Sequence, residues 1–294
     1  MTQSKKSQSK KKPNNYVLVV FDSCRYDSFI AAKPKHIKKL GKIEKRWSYA
    51  SWTSPSHYNL LIGLMPHTSP RHVYASEYYK KDFLQFNARL GRDDIEFRSL
   101  VPRLFMPIFL RDTLGYRTNA MVSLPVLNPK TILNTGFDTY KLMDKHNDMR
   151  AMVGQMSFSQ TQPNFFLLNV GETHYPYALP DEPPDQWPRI SGVHGVFKHL
   201  DDEVVGGKLI VKKDKEKDKF FDNKRLAELR QRQIDAVKHL DGVVEELFDT
   251  VPKNTYITIL ADHGELFGED GYFGHGPIYH EKVWEVPFVE GKLR

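Results

Sequence analysis

The chain of 294 residues has a single cysteine, Cys24, so it carries no internal disulfide framework and no multi-cysteine zinc site. It is also short of long apolar runs. Stretches such as Val17–Phe21 and Phe165–Leu168 fall far below the roughly 18–20 residues that a membrane-crossing helix needs, so no transmembrane segment is expected. No internal repeat is evident. The basic N-terminus is not followed by an apolar stretch, so no cleavable secretory signal is expected either. These absences lead to the expectation of a cytoplasmic, reduced setting. What is present is ordinary for a globular chain: 40% hydrophobic and 27% charged residues exclude a wholly disordered or fibrous protein.

The formal net charge is +7, from 43 basic and 36 acidic residues. Lys5, Lys6, Lys10, Lys11 and Lys12 account for most of it; without these five, the chain stands at +2. Residues 1–14 therefore read as a solvated, disordered basic tail. A weak tether to nucleic acid or anionic lipid is the other reading of such lysines. No aromatic interleaving accompanies them, so no specific nucleic-acid partner is expected.

Three continuous apolar runs, Tyr16 to Phe21, Phe165 to Val170 and Thr255 to Ala261, read as strands buried on both faces of a parallel sheet. Between them lie candidate helices at Pro55 to Leu64, Val101 to Leu114 and about Lys224 to Asp249. In the last, Ile234, Val237, Leu240, Val244 and Leu247 recur at three- and four-residue steps. The alternation predicts an α/β fold over residues 15–294, one domain with a mostly parallel central sheet and helices on both faces. Pro180 to Pro188 reads as a surface loop. Lys208 to Arg225 reads as an exposed charged connection or the frayed start of the long helix.

The chemistry collects after the strands. The first ends in Phe21-Asp22-Ser23-Cys24-Arg25, the second runs into Gly171-Glu172-Thr173-His174, and the third into Asp262-His263-Gly264-Glu265. Open parallel sheets place ligand sites beyond the carboxyl ends of their strands, so these three ends are expected to converge on one cleft. Each alone reads as an ordinary turn or cap; the coincidence of three is what points to a site. Carboxylate and imidazole are good ligands for borderline divalent metals. His275 lies in a second glycine-rich segment, Gly271 to Gly276. In Trp52-Thr53-Ser54-Pro55-Ser56-His57, Ser54 suits an N-cap and Pro55 a first helical position. Thr53 would then stand just before a helix N-terminus, where an alkoxide or bound anion is favoured. An ordinary cap is the competing reading.

These segments resemble the sulfatase family of the alkaline phosphatase superfamily. Asp22 to Ser28 resembles its metal-binding start, and Thr53 to Gly63 its signature C/S-x-P-S-R-x-x-x-L-T-G. Asn169 to Tyr177 resembles its H-x-P-Y strand end. Asp262-His263-Gly264-Glu265 through Gly274-His275-Gly276, Tyr279 and Val286-Pro287 resembles its distal block. The resemblance runs in order over roughly residues 15–291. It implies an ester hydrolase in which Asp22, Asp262, His263 and Thr53 hold a divalent cation (Zn, Mn or Ca, at one site rather than two) and Thr53 is the nucleophile. His174 and His275 would contact the transferred group or protonate the leaving oxygen, and His57 would bind substrate. The substrate would be a small-molecule or glycan ester of phosphate or sulfate.

The departures from the family pattern carry information too. Sulfatases convert a cysteine or serine to formylglycine, which Thr53 cannot become; an unmodified threonine suits phosphoryl transfer. The signature arginine is His57 here, Ser123-Leu124-Pro125 stands where Lys-x-His is usual, and Ser23 replaces a second aspartate. By this resemblance the fold is expected to lack most of the family's C-terminal antiparallel subdomain after the Val286 strand. Two alternatives stay open: a non-catalytic metal-binding protein of the same fold, and a soluble transferase of a phospho-group.

Overall fold

The computed structural model describes residues 13–68, 72–100, 103, 105–190, 204–205, 208–209 and 222–293. Twelve residues of the expected tail, residues 210–221 of the charged connection, and 101, 102 and 104 of the second expected helix lie outside these.

Alternation of strand and helix builds one seven-stranded sheet from β1 (Asn15–Phe21), β2 (Glu44–Trp47), β3 (Arg117–Val122), β4 (Thr139–Leu142), β5 (Asn164–Val170), β6 (Thr255–Ala261) and β7 (Glu285–Lys292). Their order is β2-β7-β6-β1-β5-β3-β4. β1 pairs in parallel with β5 and β6, and β3 with β5 and β4. β7 alone runs the other way, antiparallel to β6 and β2.

The period-two pleat sends alternate residues of β1 to opposite faces. Val17, Val19 and Phe21 pack against Phe29 of α1 (Tyr26–Ala31), Met149 and Met152 of α4 (Met149–Gln155), and Ile234, Val237, Leu240, Val244 and Leu247 of α5 (Asn223–Thr250). Tyr16, Leu18 and Val20 face Leu60 and Leu61 of α2 (Thr53–Leu61) and Phe83, Phe86 and Leu90 of α3 (Ala75–Leu90). Burying each such aliphatic side chain contributes about 1.5–3 kcal/mol, which is why these runs hold no water-facing residue. The expected α/β architecture is present, with helices on both faces.

Several boundaries differ. α2 begins at Thr53, not Pro55: its N-cap is Trp52, with extended backbone, and Ser56 N donates to Trp52 O (3.2 Å). Pro55 is the third residue of the helix and Ser54 is not its cap. Any first-turn position tolerates proline, because the missing N–H there needs no intrahelical partner. The helix stops at Leu61, three residues early, as Gly63 turns at φ 86°. Within the second expected helix, the described helical turns are Met106–Ile108 and a wider turn over Phe109–Thr113. Order starts before Asn15: Asn14 is buried and its amide donates to Arg89 O (3.0 Å). The loop at 180–188 contains a short helical turn, Pro184–Gln186, after a turn closed by Glu182 N–H donating to Leu179 O (3.1 Å).

Candidate active site

β6, β1 and β5 are neighbours at the centre of the sheet, so their carboxyl ends come together. Asp22 leaves β1, Asp262 and His263 leave β6, and the first residue of α2 points Thr53 between them. Thr53 Oγ1 lies 3.3 Å from Asp22 Oδ1 and 3.3 Å from His263 Nε2. One ligand atom from each of Asp22, Asp262 and His263 lies within 4.8 Å of the others, and all three residues are buried.

The backbone aims these groups. Ser23 holds a left-handed φ of 59°, so its N–H turns back onto Asp262 Oδ1 (3.1 Å), beside the His263 N–H (2.9 Å). Gly264 is required by close approach, because a Cβ there would stand 2.0 Å from Lys282 O. Thr173 Oγ1 donates to Asp22 O (2.7 Å), and Gln233 of α5 donates to both Ser23 O (2.9 Å) and Thr173 O (3.1 Å). Ser48 and Ser56 hydroxyls both donate to Asp262 O. His263 Nδ1–H donates to Gly264 O (2.9 Å), which leaves the Nε2 lone pair facing Thr53 and the two carboxylates.

Electrostatically the cluster is unfinished. Burial pushes the Asp262 carboxyl well above the carboxylate range, and the Asp22 charge adds to that. Burial also works against Asp22, but His174, His263, His57 and the Asn169 amide outweigh it and hold that carboxyl below its usual value. Burial, with His275 alongside, drives His263 well down toward its neutral form. Asp262 Oδ2 is buried without a hydrogen-bond partner, 3.4 Å from His263 Nε2. An orphaned carboxylate oxygen beside a second carboxylate, a hydroxyl and an imidazole lone pair is a donor set that fits a divalent cation.

Two further histidines flank this trio. His174 and His275 are partly exposed, with ring centroids 5.4 Å apart, and His275 lies 4.3 Å from the His263 ring. His174 Nδ1–H donates to Tyr175 O (2.8 Å). His275 Nδ1 sits 3.3 Å from Glu265 Oε1, and Tyr177 donates to the other oxygen of Glu265. Burial lowers the His275 ring, but Glu265 more than offsets it, so the net direction is upward. His57 is 1% exposed, with Nδ1–H donating to Thr53 O (2.9 Å) and Nε2 3.4 Å from Asn169 Nδ2. Ser123 is fully buried at the end of β3. Glu265 was read from the sequence only within the strand end Asp262-His263-Gly264-Glu265, without a role, and Asn169, Gln233 and Ser56 were not read as members of this cluster; the available signal was a polar residue inside an otherwise apolar run, as for Asn169 in Phe165–Val170.

The sequence of residues 14–289 matches the family described as Sulfatase. The chain belongs to the sulfatase family. Comparison with curated protein sequences finds no match. Among solved structures, this sulfatase-family chain is similar to the C-terminal periplasmic domain of phosphoethanolamine transferase EptC from Campylobacter jejuni, at 14% identity and TM-score 0.50, over 95% of this chain and 79% of that one. It is similar to the corresponding EptC domain from Escherichia coli, in complex with Zn, at 13% identity and TM-score 0.54, over 98% and 75%. It is also similar to a phosphonate monoester hydrolase of Agrobacterium radiobacter, at 14% identity and TM-score 0.50, over 95% and 68%. At these identities the likeness establishes the shared fold. Among the described residues, no helix is long and apolar enough to cross a membrane.

Proposed function

We propose that this member of the sulfatase family is a metal-dependent phosphoester hydrolase with Thr53 as its nucleophile. The observation that carries this reading is the placement of Thr53 Oγ1 at 3.3 Å from both Asp22 and His263, beside the unpartnered Asp262 oxygen. Asp22, Asp262, His263 and Thr53 would hold the cation. Two carboxylates, one imidazole and a hydroxyl favour Zn²⁺ or Mn²⁺ over Ca²⁺, which takes more oxygen ligands; the Zn complex of the E. coli EptC domain accords with this. When bound, the cation supplies Lewis-acid polarisation and lowers the pKa of a coordinated hydroxyl.

The protein's own groups do the rest. Thr53 Oγ1 bonds to phosphorus as the ester P–O bond breaks, and its proton passes to solvent. The departing oxygen takes a proton from the His174–His275 pair, where Glu265 favours the protonated form of His275. Water then attacks phosphorus and gives a proton back to the His174–His275 pair, the Thr53 Oγ1–P bond breaks, Thr53 Oγ1 takes up a proton from solvent, and phosphate leaves. The proposed substrate is a small-molecule or glycan phosphoester. Sulfate esters are the weaker assignment, because threonine does not yield formylglycine.

Turnover of aryl phosphate monoesters, aryl phosphate diesters and aryl sulfates by the zinc-loaded protein tests this. Thr53→Ala should lower kcat on the best substrate by on the order of 10⁴-fold or more, and mass spectrometry of quenched wild-type protein should show phosphothreonine at position 53. Unchanged turnover in Thr53→Ala would overturn the mechanism. Exclusive turnover of sulfates would overturn the phosphoester assignment. Tight zinc binding without any turnover would favour the non-catalytic alternative.

A further inference from the structure

Asn169 is the one polar residue in the buried run Phe165–Val170, and it is fully buried. The pleat of β5 turns it to the face shared with Phe165 and Leu167, the side on which α2 lies. Its Oδ1 accepts two backbone donors from the end of β3, Ser123 N–H (3.2 Å) and Leu124 N–H (3.3 Å). An oxygen held by two N–H groups fixes the orientation of the amide, so the Nδ2 donors have one direction to take. One reaches Asp22 Oδ2 at 2.8 Å and the other faces His57 Nε2 at 3.4 Å. His57 Nδ1 faces Thr53 O, which only accepts, so the proton sits on Nδ1 and Nε2 is free to accept from Asn169.

We propose that Asn169 is the positioning residue of this site: it turns the Asp22 carboxylate so that Oδ1 faces Thr53, and through His57 it ties the first turn of α2 to the same strand end. One chain of hydrogen bonds thus runs from the β3 backbone through Asn169 to Asp22 on one side and to the Thr53 carbonyl on the other. The consequence for function rests on the metal-dependent reading above, since the Asp22 oxygen that Asn169 does not bond, Oδ1, which accepts from Ser23 Oγ (3.1 Å) and Thr53 Oγ1 (3.3 Å), is the one offered to a cation.

Zinc affinity of the metal-free 294-residue chain, measured by competition with a chromophoric chelator, tests the inference. Asn169→Leu should weaken Zn²⁺ binding by about 10–100-fold, the usual effect of losing a group that orients a ligand. Asn119→Leu is the control. Asn119 is also a buried sheet asparagine, bonded to Phe165 O and Thr139, with none of its hydrogen bonds reaching the cluster, and its zinc affinity should stay within about twofold of wild type. Spectra of ¹⁵N-histidine-labelled, metal-free wild type should show His57 as the Nδ1–H tautomer, and in Asn169→Leu its Nε2 signal should move to that of an unbonded imine nitrogen. Equal zinc affinity in folded Asn169→Leu, or a proton on His57 Nε2, would overturn the proposal. If wild type takes up no zinc, the metal-dependent reading fails and the movement of the His57 Nε2 signal in Asn169→Leu still decides this one; if Asn169→Leu does not fold, Asn169→Ala takes its place in both measurements.

Discussion

Two buried polar clusters sit on the same central strands, and they are built to opposite ends. Beyond the carboxyl ends of β1 and β6, Asp22 and Asp262 face each other across a neutral imidazole, and Asp262 Oδ2 has no partner. Further back along those strands, the fully buried Arg89 of α3 meets Glu290 of β7 through two contacts, at 2.8 and 3.3 Å. Thr258 donates to Glu290 (3.1 Å) and Tyr16 to Thr258 (3.2 Å). Burial opposes the Arg89 charge, but Glu290 more than compensates. Asp82, whose carboxyl burial pushes up while Arg89 draws it back, completes that group. One cluster joins opposite charges across α3, β7, β6 and β1, though Arg89 Nη1 and Asp82 Oδ2 have no hydrogen-bond partner; the other gathers like charges around a buried acceptor, Asp262 Oδ2, that no cationic side chain among the described residues meets. The first has the composition of a brace and the second that of a receptor for positive charge.

The comparison breaks most visibly at the brace. Arg89→Met empties a fully buried cation site and leaves the partly buried Glu290 without its partner, and should cost up to about 3–5 kcal/mol of unfolding free energy, read from urea midpoints. Zinc affinity in the surviving folded protein should be unchanged, because Arg89 has no contact with the cluster. A loss below about 1 kcal/mol would mean that the brace holds nothing, and a large change in zinc affinity would mean that the two clusters are coupled.

A smaller effect comes from Glu172, fully buried beside the receptor end with one oxygen accepting Met149 N–H (2.7 Å) and the other unpartnered. Burial raises its carboxyl to about 7. The folded protein keeps this proton up to about pH 7 while the unfolded chain releases it near 4.5, so the folded state binds more protons between those values and loses stability as pH rises. The loss amounts to about 3 kcal/mol between pH 4.5 and 8. Glu172→Gln keeps the acceptor for Met149 and removes the ionisation. Its advantage over wild type should therefore grow with pH across that window; an advantage that is constant with pH would show that Glu172 does not titrate there.

Much of this was legible in the sequence, and the failures have physical causes. Runs of apolar residues mark β1, β5 and β6 because both faces of a central strand are covered. β2 and β4 escape that signal: Glu44-Lys45-Arg46-Trp47 and Thr139-Tyr140-Lys141-Leu142 are edge strands with polar residues interleaved. α3 escaped because Asp82 and Arg89 lie on its buried face, and a charged pair hides an apolar stripe. The reversed direction of β7 depends on which strands it joins, information spread across the whole chain. At the site, Asp22, Asp262 and His263 were readable because polar groups follow three buried strands at once, where any one of them alone reads as an ordinary turn or cap. Asn169 was not, since one amide inside an apolar run resembles a tolerated polar residue until its four partners are seen.

The smallest expected effect separates the two clusters by sign. Asp262→Asn removes a carboxyl that burial and Asp22 together push up, so the metal-free protein should gain about 1 kcal/mol at neutral pH, where wild type must either hold a buried proton or bear two facing charges. The backbone donors from Ser23 and His263 retain an acceptor in the asparagine oxygen. Zinc should then raise the melting temperature of wild type far more than that of the variant, because the variant has lost a ligand. Removing a charge at the brace and removing one at the receptor would thus move stability in opposite directions. A destabilised metal-free Asp262→Asn would mean that Asp262 is held for packing, and the case for a cation between β1 and β6 would lose its electrostatic half.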